Sequence, residues 1–141
     1  MIIKALMAPV FIQVALTFFL LFYMGRTRVK WLATGEKKLK DIALGGDVWP
    51  AHVTKIANSF HNQLQIPILF YAAVLFAIAL VKVNYWFISL AWIFAGSRLV
   101  HAYVACTSNH VIWRFRWFGL GALALIGMWG MLAFRIMTEG A

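Results

Sequence analysis

The sequence predicts an all-α integral membrane protein, a four-transmembrane-helix bundle, and three observations predict it. Hydrophobic residues make up 64% of the 141-residue chain and charged residues 12%. That balance leaves too little polar surface to dissolve a globule of this size. The apolar residues fall into four stretches, each close to the ~20 residues that cross a ~30 Å hydrocarbon layer as helix. Lysine and arginine lie between those stretches or just beyond the first and last of them, and Arg98 in the third is the one that falls inside a stretch.

Span one is placed at residues 5–25, because Ala5 to Gly25 carries no charged side chain. Lys4 before an apolar run resembles the start of a signal peptide, yet Arg26 and Arg28 follow at once as a stop signal, so the span is expected to be retained. Span two, about 60–81, lies between Lys55 and Lys82, where His61 is the one side chain that takes up charge near neutral pH. Its first two turns are unusually polar. Span three, about 86–106, begins after Lys82, Val83, Asn84 and Tyr85, which leave room only for a tight turn and so an antiparallel hairpin. Span four is the charge-free run 117–134. Tyr85, Trp86, Trp113 and Trp117 stand at span ends as interfacial anchors. Without a repeat or a second domain, the chain reads as one four-helix transmembrane domain over 1–141.

Charge orients the bundle. The connection 26–59 holds Arg26, Arg28, Lys30, Lys37, Lys38, Lys40 and Lys55, and Arg114 and Arg116 precede span four. By the positive-inside rule the first and third connections are cytoplasmic and both termini lie outside. Most of the net charge of +9 therefore sits on one face, where anionic headgroups are its expected partners rather than nucleic acid. A short amphipathic helix is expected around Glu36 to Leu44, lying on that surface.

Several chemistries are excluded. Cys106 is the sole cysteine, so there is no internal disulfide and no cysteine-based zinc site. No His-x-x-x-His spacing or Gly-rich phosphate loop occurs, and no metal is expected. The acids Glu36, Asp41, Asp47 and Glu139 all fall outside the spans, which removes hydrolysis by paired carboxylates.

What remains is cationic and amide chemistry. On a continuous helix advancing about 100° per residue, Asn58, Asn62 and Gln65 fall within about 60° of one another, and Pro67 is expected to kink that helix and free a carbonyl. Such amides serve either as glue between helices or as ligand donors. In span three, Arg98 and His101 share a side, and Gly96 and Ser97 permit a close neighbour. An arginine at that depth either snorkels to the headgroups or faces the protein interior and marks a site. Arg26, Arg28, Arg114 and Arg116 reach the same level from spans one and four. A cationic pocket with amide donors suits an anionic, polar small ligand, since guanidinium pairs carboxylates bidentately.

These residues resemble the family of membrane-associated proteins in eicosanoid and glutathione metabolism (MAPEG), in a bacterial-type member. The family's Asn-x-x-Glu before a proline in span two reads Asn62-Gln63-Leu64-Gln65 then Pro67; its Arg-x-x-His in span three reads Arg98-Leu99-Val100-His101; its span-four arginine is Arg114, sixteen residues after Arg98, or Arg116. The resemblance implies a homotrimer with glutathione, its co-substrate, bound between protomers near the cytoplasmic face and a lipophilic electrophile entering from the bilayer. It implies a glutathione-dependent transferase or peroxidase in which Arg114 or Arg116 holds the thiolate, with Arg26, Arg28, Asn58, Asn62, Gln65, Arg98 and His101 binding glutathione. Two positions depart from the pattern: Gln65 stands where the family has glutamate, and Ala105 where a tyrosine is expected. The alternative is a non-catalytic member of the same kind that binds a lipid or serves as an accessory subunit.

Overall fold

The computed structural model describes residues 2–35, 40 and 49–139. Among them it is all-helical, and four helices are long and apolar enough to cross a membrane. The amphipathic helix expected around Glu36 to Leu44 falls almost wholly outside the described residues.

Helix α1, Ile2–Leu32, buries Leu6, Pro9, Gln13, Leu16, Leu20 and Met24, a spacing of three and four residues that draws one stripe down the helix. Phe11, Phe18, Phe19 and Phe22 stay exposed, as suits a surface solvated by lipid rather than water. The helix ends where the Gly35 N–H bonds the Leu32 carbonyl at 3.1 Å with Gly35 at φ 76°, a left-handed geometry that glycine adopts without strain.

The second span is interrupted just before Pro67, where a kink is expected, and begins earlier than residue 60. It starts at α2, Ala51–His61, passes through a 3-10 turn, Asn62–Leu64, and resumes as α3, Ile66–Ala79. The physical cause is Pro67, which has no N–H to give and whose ring would clash with the carbonyl a turn earlier. Gln65 absorbs the break at φ −101° and ψ −101°, and the Ile68 N–H reaches back to its carbonyl at 3.1 Å.

A tight turn follows, as the sequence requires, with Val81 at φ 55°. Helix α4, Tyr85–Cys106, is capped by Asn84, whose Oδ1 accepts from the Phe87 N–H at 2.8 Å. After a four-residue loop comes α5, Val111–Glu139, which begins before the expected span and takes Arg114 and Arg116 into its first turns. At the far end of the bundle, Arg135 Nη1 donates to the Lys82 carbonyl at 3.2 Å.

The main core lies between α3, α4 and α5 with a contribution from Leu6 of α1: Phe70, Ala73, Phe87, Ala91, Phe94, Ala124 and Met128 are buried together, and the Phe70 and Phe94 rings stack at 4.5 Å. The α4–α5 pair is the most extensive contact, and small residues allow it. A methyl built on Gly121 would stand 2.5 Å from Ser97 Oγ, and one on Gly127 3.1 Å from Leu90. Ser97, Gly121 and Gly127 are thus used inside the protomer, whereas Gly96, Gly119 and Gly130 meet nothing within 4 Å. Gly121→Ala is expected to cost about 1–2 kcal/mol by overpacking. Gly119→Ala should cost nothing, and adding Ser97→Ala to Gly121→Ala should restore most of the loss, all read from melting in detergent.

Candidate functional site

The Arg98 side chain does not snorkel. It is 1% exposed and is among the largest fully buried side chains of the protein. Its Nη2 donates to the Asn62 carbonyl at 3.0 Å, and its guanidinium carbon lies 5.8 Å from the centre of the Phe118 ring. The break in span two explains the partner. Where the helix changes to a 3-10 turn and restarts, the α-helical bonding pattern is interrupted, and a buried guanidinium supplies an additional donor there. One side chain therefore joins spans two, three and four. Arg98 Nε remains buried without a hydrogen-bond partner in the protein.

His101, one turn on, is also buried. Its ring faces Phe118 at 6.0 Å, it lies within reach of the charges of both Arg98 and Arg114, and its Nδ1 has no partner. Arg98, His101 and Arg114 thus form a line of nitrogen-bearing groups running from the interior toward the basic end.

At that end lies a polar cavity of about 410 Å³, lined by Trp49, Ala51, Thr54, Lys55, Asn58, Asn109 and Arg114. Lys55 and Asn58 are three apart on α2 and share its face. Lys55 Nζ donates to the Thr107 carbonyl at 2.8 Å, and Arg114 Nη1 to Asn109 Oδ1 at 2.7 Å. Arg114 Nε is buried and unpartnered. Among the described residues none of the lining side chains is acidic. Two cations whose described partners are neutral make a site that attracts an anion.

The other expected residues are distributed around this cavity. Arg28 lies 4.8 Å over the Trp49 ring, and Trp49 packs on Trp31 at 5.2 Å, so Arg28 reaches the rim through an aromatic wall. Arg26 is exposed at the end of α1. Arg116 is exposed and lies 5.3 Å over Trp113, away from the cavity lining, which separates it from Arg114. Asn58, Asn62 and Gln65 meet different surroundings: Asn58 lines the cavity, Asn62 gives its backbone carbonyl to Arg98, and Gln65 is exposed at the break. No group of three or more metal-ligating side chains occurs among the described residues.

Two further polar side chains were missed in the sequence. Gln13, 0% exposed in mid-span, donates through Nε2 to Gln63 Oε1 at 2.8 Å, and Gln63 Nε2 donates to the Ser59 carbonyl at 3.1 Å. This amide chain ties α1 to the break in span two. The signal was present, since a lone glutamine inside a charge-free span has to find a partner.

A sequence model of the MAPEG family matches residues 6–134, nearly the whole chain. No curated protein and no solved structure matched. The four membrane-crossing helices and the order of motifs on them agree with that match, and the chain belongs to the MAPEG family.

Proposed function

We propose that this protein is a glutathione-dependent transferase or peroxidase acting on a lipophilic electrophile at the membrane. The observation that supports it most is the polar cavity, lined among the described residues by two cations and no acid, into whose wall Arg114 is set with an Nε that is buried and has no partner among the described residues. Members of the family generally use glutathione, an anionic tripeptide, and the donor set fits it: two cations for negative charge, and Asn58 and Asn109 for amide contacts. In this reading Arg114 stabilises the thiolate and Asn58 orients the peptide. Gln65 takes the position of the family's charged partner for the glutathione amine. Arg98 and His101 support the site from beneath, and Arg26 and Arg28 set the potential at the rim. The chain acts as a single four-helix domain with its basic end in the cytoplasm, where glutathione is available.

The functional unit in this reading is a homotrimer. Asn58, His61 and Gln65 are exposed on the second membrane-crossing segment, and polar side chains on such a segment call for protein partners. Native mass spectrometry of the detergent-solubilised protein is expected to give three protomers; a monomer alone would overturn this.

Isothermal titration with glutathione and conjugation of a generic aryl halide test the activity. Binding at millimolar concentration or tighter and measurable turnover are expected. Gln65→Glu should tighten binding about tenfold if that position faces the ligand amine. Absence of both binding and turnover would replace this reading with a non-catalytic, lipid-binding or accessory role.

A further inference from the structure

A second, apolar cavity carries no role in that reading. A groove of about 590 Å³ runs between α1 and α4, walled by apolar side chains including Ile12, Leu16 and Phe19 on one side and Leu99 and Ala102 on the other. It is apolar along its length until it reaches Tyr23, Cys106 and Thr107 at the basic end. Thr107 links it to the polar cavity, because its carbonyl accepts the Lys55 ammonium at 2.8 Å while Lys55 lines that cavity. The mouth of an apolar groove thus holds a cation that spends one of its three N–H groups on a described partner.

We infer that the groove binds one anionic phospholipid, with an acyl chain between α1 and α4 and its phosphate on Lys55. Length supports this occupant. Ile12 to Tyr23 covers about 17 Å of helix, close to one leaflet of a ~30 Å hydrocarbon layer. Charge complementarity supports it as well, since none of the described lining side chains of groove or cavity is acidic and anionic headgroups gather at basic membrane surfaces. Position agrees: the Trp31–Trp49 pair and the exposed Trp113 mark the headgroup level at the same end.

The test is lipid retention by the purified, assembled protein in native mass spectrometry, with phosphatidylglycerol compared with phosphatidylcholine of identical chains. One phosphatidylglycerol per protomer should be retained, roughly fivefold more strongly than phosphatidylcholine. Lys55→Gln should remove that preference, and Lys30→Gln, at the exposed end of α1, should keep it. Ala15→Trp, which fills the groove from an exposed position, should abolish retention of both lipids while the assembly mass stays unchanged. Equal retention of the two lipids, a preference that survives Lys55→Gln, or retention that survives Ala15→Trp would each overturn the inference. Loss of the assembly in Ala15→Trp would assign the groove to a neighbouring copy and overturn it as well. The readout needs no glutathione, so failure here and failure of the enzymatic reading are separate results.

Discussion

Replacing Arg98 with alanine is expected to destabilise the protein by about 3 kcal/mol, more than any other single change considered for the fold. Two losses combine. The Asn62 carbonyl, which accepts from Arg98 Nη2 at 3.0 Å in a half-buried position, loses a charged donor, which costs about 1–3 kcal/mol. Removing one of the largest fully buried side chains also leaves a cavity beside Phe118, and buried large-to-small changes commonly cost about 2–5 kcal/mol. Against these stands relief from burying a charge without an acid, which keeps the net near the middle of the range. Arg98→Met separates the terms: it fills the space, still removes the charged donor to the carbonyl, and should lose about half as much. Arg98→Lys should fall between methionine and wild type, because it retains a charged donor. Melting in a single detergent measures all three. An alanine variant that melts with the wild type would show that Arg98 does not hold the break, and would return it to the list of residues free to bind a ligand.

The part of the fold legible in the sequence was the part dictated by the bilayer. Charge-free runs near the length of a membrane-spanning helix, a connection too short for anything but a tight turn, and arginines clustered between runs define four crossing helices without any tertiary information. The interior was less legible for a definite reason. Pro67 signalled a kink, but a kink does not say which carbonyl is freed or what fills it. The answer came from Arg98 on another span, through a contact thirty-six residues away. Treating 58–65 as one continuous α-helix missed the 3-10 turn Asn62–Leu64 and the break at Gln65.

The site was legible in residue type more than in grouping. Arg114 and Asn58 were singled out from the sequence and line one cavity. Lys55 was counted with the headgroup lysines, since nothing local distinguishes a lysine that bonds a loop carbonyl from one in solvent. The pairing of Gln13 with Gln63 depends on helix register between spans, which periodicity within one span does not fix.

Arg114→Ala is expected to leave glutathione binding within about threefold of wild type and to lower turnover about thirtyfold at pH 7. A free thiol has a pKa of ~8.5 and is only a few per cent thiolate at neutral pH. A guanidinium that lowers the thiol pKa by about two units, worth about 2.7 kcal/mol, makes the nucleophile the major form. The sign of the pH effect follows. Below the lowered value both enzymes lose thiolate together, between the two values only the wild type holds it, and above ~8.5 the variant regains it unaided. The deficit should therefore shrink to less than about threefold by pH 9. Arg114 Nη1 also anchors Asn109 in the α4–α5 loop at 2.7 Å, so a purely structural loss has to be told apart from a catalytic one. Such a loss would persist at pH 9, and Arg114→Lys, which keeps the charge but not the forked geometry, would not relieve it. Recovery of rate at alkaline pH, with Arg116→Ala unaffected because its guanidinium lies over Trp113 rather than in the cavity wall, is the result expected of a residue that holds a thiolate. A pH-independent deficit would remove Arg114 from that role.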